Sequence, residues 1–242
     1  MKKSLFLLFI LIPAWISAQS LFVNAQLHYD FKREHPTVTT ELLSYDSWGY
    51  FFGFADFNFD NTRKSGGFSD VYFEIMRYFK IKQIAGKDLN ITIQYNDGSE
   101  PVNRVWLAGL NLGNLNLGSQ LLSTEFLVKQ EYQFGLTWQY TLVWFGHLGH
   151  EKLIFNGYLD FWTNDNTDPD WPAFDPEFAA TKYSFQAEPQ IGWLLTPRWK
   201  LGSELEISRG FLGSVTGKLA SRESYKHDKW YFLPTLFIQY NF

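Results

Sequence analysis

The chain has 242 residues, a formal charge of −4 and no cysteine, yet it carries 24 Phe, 13 Tyr and 10 Trp. Without cysteine there are no disulfides, thiolate metal sites or thiol nucleophiles. A weakly acidic, aromatic-rich chain is neither a basic-faced nucleic-acid binder nor a disordered polymer. Past residue 20 it also lacks the run of roughly 18 apolar residues that a membrane helix requires.

Taken in chain order, Met1-Lys2-Lys3 gives a positive start and Leu5 to Ile12 an apolar stretch. Pro13 breaks that stretch, and Ile16-Ser17-Ala18 ends on a small residue before Gln19. This is the anatomy of a secretory signal over 1–18, too short for an anchor and with no following cysteine to carry a lipid. The mature chain, 19–242, then reads as one domain.

From there the hydrophobic period is two rather than 3.6. Val23, Ala25, Leu27, Tyr29 and Phe31 alternate with Asn24, Gln26, His28 and Asp30. Leu89, Ile91, Ile93 and Tyr95 alternate with Asn90, Thr92, Gln94 and Asn96, and similar stretches recur through Phe134–Trp144 and Tyr183–Trp193. Twelve strands are expected, over 20–31, 36–45, 48–59, 68–80, 87–97, 102–112, 116–129, 132–145, 150–162, 180–194, 198–208 and 228–242. Many match the nine to eleven or so residues that cross a bilayer at a tilt and exceed the usual soluble strand. The fold class is therefore all-β: a transmembrane antiparallel up-and-down barrel of twelve strands with both termini periplasmic. Such a barrel alternates short inner turns with longer outer loops. Its two longest connections, 163–179 and 209–227, fall on the outer side, and 46–47, 81–86, 113–115, 146–149 and 195–197 form the inner turns. A secreted β-sandwich is the competing reading, with shorter strands and more even loops.

The final strand alternates Leu236, Ile238, Tyr240 and Phe242 with Phe237, Gln239 and Asn241. A terminal aromatic closing such a strand looks like the signal read by the barrel-assembly machinery. Trp138, Trp144, Trp193, Trp199, Tyr29 and Tyr95 suit girdles at the membrane interfaces. Arg77, on an apolar face near the inner end of its strand, is placed to snorkel to the interface.

One segment is apolar on both faces. In 48–58, Trp48, Tyr50, Phe52, Phe54, Asp56 and Asn58 share the face assigned inward, because a lipid-facing carboxylate is costly. A row of rings leading to a carboxylate suits flat amphipathic solutes that stack, such as nucleosides; the alternative is that the rings rigidify or plug a narrow interior. The same parity turns Glu41, Glu74, Glu125, Asp160, Glu188, Glu204 and Glu206 inward. Opposed lumen carboxylates favour cations or neutral donors over anions. Alternatively they form ion pairs, with Lys129 and Lys182 as partners.

No catalytic group, metal site or cofactor is expected. None of the five histidines is followed by the His-x-Ser-Asn pattern of barrel phospholipases, and His147 and His150 form only a turn pair. Asn164, Asn166, Asp168, Asp170, Asp175 and Glu177 surround Trp171-Pro172 without calcium-loop spacing, so a solvated acidic loop is expected.

Trp48-Gly49-x-x-Phe52-x-Phe54-x-Asp56, followed by Tyr72-Phe73-Glu74-Ile75, resembles the nucleoside-specific channel-forming, Tsx-like outer-membrane proteins. Gly157-Tyr158-Leu159-Asp160-Phe161, Glu188-Pro189-Gln190, Gly202-Ser203-Glu204-Leu205-Glu206 and Pro234-Thr235-Leu236 are similar to later motifs. The resemblance implies a twelve-stranded monomeric barrel passing nucleosides, with Phe52, Phe54, Asp56, Glu74 and the later acids in the lumen. The expectation is thus an outer-membrane channel, not an enzyme, for small hydrophilic solutes. Its partners would be membrane lipid, lipopolysaccharide and the assembly machinery through Phe242, with no nucleic acid. A closed structural or surface-binding barrel acting through its loops, and a barrel hydrolase, are the rival readings.

Overall fold

The computed structural model describes residues 20–59, 68–99, 102, 104–132, 134–164, 182–211 and 228–242. The expected signal segment and the centre of each long loop, 165–181 and 212–227, lie outside the described residues. Thirteen strand segments follow one another: β1 (Ser20–Asp30), β2 (His35–Asp46), β3 (Gly49–Phe59), β4 (Phe68–Ile84), β5 (Lys87–Gly98), β6 (Val105–Leu117) and β7 (Gln120–Glu131). They continue as β8 (Leu136–His147), β9 (Leu153–Thr163), β10 (Tyr183–Ala187), β11 (Gln190–Leu194), β12 (Trp199–Arg209) and β13 (Tyr231–Asn241). Segments β10 and β11 are two halves of one spanning strand, since both pair with β9 on one side and β12 on the other. Twelve spanning strands result. Each pairs antiparallel with its neighbours in sequence, and β1 pairs with β13, so the sheet closes into a barrel.

Alternation fixes which side chain goes where. Leu27, Leu110, Phe126, Leu201 and Leu236 stand on the outer wall, exposed. Their alternates Gln26, Asn111, Glu125, Lys200 and Thr235 point inward and are buried against one another. Near the short-turn end Trp199 meets Tyr240 edge to face on the outer wall, as a girdle pair does. Arg77 reaches Asp46 there at 2.9 Å and lies over the Phe79 ring.

Three sequence boundaries shift for identifiable reasons. The β2–β3 turn is Ser47-Trp48, not Asp46-Ser47: the Asp46 carboxylate accepts the Trp48 and Gly49 amides at 2.8 and 3.0 Å. That capped turn consumes Trp48. Between β4 and β5 the expected connection 81–86 shrinks to Ala85-Gly86, both at positive φ, with the extra residue absorbed by a bulge at Ile81. Between β6 and β7, Gly113-Asn114 carries a turn-like signal but sits in a bulge, and Gly118-Ser119 makes the turn. Both hairpins therefore stand taller than expected.

Gly49 starts β3 at φ +147, where a Cβ would collide with the Tyr78 carbonyl of β4. This backbone region is close to glycine-only and costs other residues about 1–3 kcal/mol. Gly49→Val is expected to lower the temperature at which the folded band is lost in a heat-modifiability gel, whereas Ser47→Ala in the neighbouring turn leaves it unchanged.

Candidate functional site

The inward side chains do not fill the barrel evenly. One sector, on β4 to β7, is packed solid. Glu125 accepts the Tyr78 hydroxyl at 2.7 Å, Gln94 Nε2 at 2.5 Å and Asn111 Nδ2 at 3.0 Å. Leu107 and Leu127 close this sector with essentially no exposed surface. A second sector, on β12, β13 and β1, is built around Phe237. His28 stacks on its ring with centroids 5.1 Å apart, and Lys200 Nζ lies 5.1 Å from the ring centre. His28 also meets Gln26 at 3.0 Å and Thr235 at 3.4 Å.

Between these sectors a cavity of about 1570 Å³ runs from the short-turn end, at Asp46, Asn114 and Pro197, to the long-loop end, at Arg33, Asn58 and Phe211. Its described lining carries twelve Asp or Glu side chains against three Lys or Arg, so the interior is acidic. One wall is β2 to β4, with Thr39, Phe52, Phe54, Asp56, Tyr72 and Glu74. The facing wall is β8 to β12, with Thr141, Tyr158, Asp160, Glu188, Gln190 and Glu204.

The aromatic column on β3 faces this cavity as parity requires. Tyr50 stacks on Tyr78 of β4 at 4.1 Å and 13°, Phe52 and Phe54 follow at 6.3 Å, and Phe54 meets Tyr72 at 5.9 Å. Trp48 does not join it. Its turn position leaves it 72% exposed, and it is absent from the lining. The inward assignment of Trp48 is therefore corrected, because alternation applies only within the strand that begins at Gly49.

The carboxylates share one construction. Asp56 accepts Thr39 Oγ1 at 2.5 Å, Asp160 accepts Thr141 Oγ1 at 2.5 Å, and Glu204 accepts Gln190 Nε2 at 2.6 Å. In each case the donor is the residue directly opposite on the neighbouring strand. Glu74 accepts the Tyr72 hydroxyl at 2.5 Å, and Glu188 accepts Gln186 at 2.7 Å together with the Tyr158 hydroxyl. Neutral donors lying along the wall hold these acids in place facing the lumen. Across the cavity, Glu74 has Asp160 and Glu188 has Asp56 among its electrostatic neighbours; on the same wall Glu74 also has Asp56, and Glu188 has Glu204 and Glu206.

Ion pairs form at both ends: Lys80 meets Asp88 at 3.3 Å near the short turns, beside the Arg77–Asp46 pair, and others lie at the long-loop end. Arg33, on the β1–β2 turn, bonds Asp30 at 2.6 Å and Glu206 at 3.1 Å. Lys129 pairs with Glu131 at 3.1 Å and lies over Trp162, and Lys182 is exposed beside β10. The ion-pair reading thus describes Glu206 but not Asp56, Glu74 or Asp160. Sequence reasoning missed Arg33, Tyr72, Tyr158 and Phe211. Tyr72 and Tyr158 lay on the inward parity two residues before Glu74 and Asp160 and were legible there. Arg33 sits in a turn, where alternation is silent.

A closed twelve-strand barrel with an apolar outer wall and an interior lined by polar and acidic side chains has the fold of a transmembrane up-and-down β-barrel. The chain belongs to a family described as a domain of unknown function (DUF5020), whose model matches residues 22–242. No curated protein matches the sequence. Among solved structures, the KdgM porin superposes with a TM-score of 0.54 at 8% identity, covering 91% of this chain and 99% of that one. The NanC porin gives 0.58 at 7% identity, with 90% and 98% covered. Outer membrane phospholipase A from Escherichia coli gives 0.50 at 12%, with 94% and 92% covered. At these identities the likeness is one of fold. Of the described histidines, His28 and His35 are buried inside the barrel, whereas His147 and His150 lie at the short-turn end.

Glu125 is the hub of the packed sector, and its loss takes an acceptor from three buried donors. Glu125→Leu is expected to destabilise the barrel by about 1–3 kcal/mol, read as a lower unfolding midpoint in detergent and urea. Glu125→Gln, which keeps an acceptor in place, loses less.

Proposed function

We propose that the protein is a passive outer-membrane channel for small hydrophilic solutes, neutral or cationic, with nucleosides the favoured class. The observation that carries this reading is the end-to-end cavity, with an aromatic column on one wall and carboxylates on both. Rings at Phe52 and Phe54 offer stacking faces of the kind any nucleobase can use. Asp56, Glu74, Asp160, Glu188 and Glu204 offer acceptors to ribose hydroxyls and base amino groups. No bond is made or broken; selection comes from bore, stacking and charge.

The sign of the lumen argues against acidic cargo. The KdgM porin, similar in fold, has a structure in complex with disordered oligogalacturonate. Such a solute is a polyanion, and twelve lumen carboxylates against three cations would repel it here. The Tsx-like resemblance of the Trp48–Asp56 and Tyr72–Ile75 motifs supports the nucleoside version. In the same proposal both termini face the periplasm, Phe242 engages the assembly machinery, the outer rim contacts lipopolysaccharide, and the barrel acts as a monomer.

Planar-bilayer recording of the purified protein tests this. We expect steady conductance with a reversal potential on the cation-selective side of a salt gradient. The double variant Asp56→Asn, Glu74→Gln should lower the cation-to-anion permeability ratio by about two-fold or more. Added nucleoside should partially block the current. Phe52→Ala or Phe54→Ala should weaken that block by about ten-fold, the loss of one stacking contact of about 1–3 kcal/mol. Absence of conductance would sink the channel reading, and an unblocked but cation-selective current would remove nucleosides alone.

A further inference from the structure

We propose that Phe211 is the specificity-determining residue of the long-loop mouth, a ring held across the bore that divides it into two portals. The proposal rests on the channel reading above and names the residue that sets its size limit.

The chain leaves the barrel wall in a controlled way at the end of β12. Gly210 adopts φ +69, a left-handed conformation open to glycine at little cost. Its carbonyl accepts Ser184 Oγ at 2.9 Å. Ser184 has no exposed surface and in turn accepts Asn164 Nδ2 at 2.7 Å. The exit point of β12 is therefore tied to both β10 and the end of β9. The next side chain, Phe211, turns into the lumen.

There it spans the interior. The Phe211 ring stands perpendicular to Trp162 of β9 with centroids 5.9 Å apart. On the other side it meets Tyr72 of β4 at 6.5 Å, also edge-on. Strands β12 and β4 are separated around the barrel by β13, β1, β2 and β3, so the Phe211–Tyr72 contact crosses the bore rather than following a wall. Two spaces meet at this bridge. One is the main cavity, which opens past Arg33, Asn58 and Asp70. The other is a recess of about 70 Å³ beside Lys129, Glu131, Trp162 and Asn164. Phe211, Tyr72, Glu74 and Asp160 line both.

The bridge thus separates the main opening, which contains Arg33, from the recess beside Lys129, and both carry acids. Phe211 meets Trp162 and Tyr72 through an apolar ring that neither donates nor accepts a conventional hydrogen bond, so shortening the side chain removes the divider without taking a polar group from these partners. With the ring gone, recess and cavity become one opening.

Single-channel recording of the full chain in planar bilayers, with liposome swelling over a series of neutral sugars, tests the assignment. Heat-modifiable gel migration checks that each variant is folded. Phe211→Ala is expected to raise conductance by about two-fold or more and to admit larger sugars, whereas Phe211→Trp keeps or lowers both. Trp230→Ala is the control: Trp230 packs on Phe185 at 5.2 Å at the same end but is not in the lining, and its loss should leave conductance at the wild-type level. A folded Phe211→Ala with wild-type conductance and sugar limit would overturn it and leave the channel reading standing. Silence of both wild type and Phe211→Ala would overturn the two together.

Discussion

Everything in this molecule depends on one constraint: inside a bilayer each backbone N–H and C=O must find a partner within the protein. Strands satisfy it only by closing, and the closing seam is the pairing of β1 with β13, from Asn24 opposite Asn241 to Asp30 opposite Thr235. Where the ladder is interrupted, at Glu188-Pro189, the groups beside the break are still paired. The Glu188 amide donates to the Tyr158 carbonyl at 3.0 Å, and the Pro189 carbonyl accepts the Leu205 amide at 3.1 Å. Proline has no amide to satisfy, which is why it is tolerated at that position.

Closure then dictates the interior. A ring of twelve strands is wider than the eight-strand barrel whose side chains just fill it. This barrel resolves the excess by packing two sectors, around Glu125 and around Phe237, and leaving the space between them open. The packed sectors are polar at their centres, so each needs a complete hydrogen-bond network. In the open part, the donors to Asp56, Asp160 and Glu204 come from the opposite residue of the adjacent strand. Register, fixed by closure, is thereby what aims the lumen carboxylates.

This explains what the sequence could and could not disclose. Period-two alternation is a property of the strand itself, so the strand number, the outer wall and the inward acids were all legible from Asp56 to Glu206. Bulges are not: Gly113-Asn114 reads as a turn because a turn and a bulge both require a residue that tolerates positive φ. Trp48 failed for a related reason, since alternation was carried one residue past the strand into a turn that Asp46 closes. The partition of the lumen into packed and open sectors was illegible, because it depends on which side chains meet across the bore. Arg33 and Phe211 belong to the same class, each leaving the strand pattern before entering the lumen.

Two departures from regular strand geometry lie beside the lumen acids. Gly157, at φ +154, has the Glu188 carbonyl where a Cβ would stand, so β9 and the break after β10 approach unusually closely. Tyr158, next in sequence, bonds the Glu188 side chain, and Glu204 and Glu206 lie within its electrostatic reach. A second departure, the left-handed Gly210, ends β12 just beyond that acidic patch and launches Phe211 across the bore. Broken local rules often mark functional sites, and under the proposed channel reading one break positions a group of lumen carboxylates while the other sets a ring across the mouth.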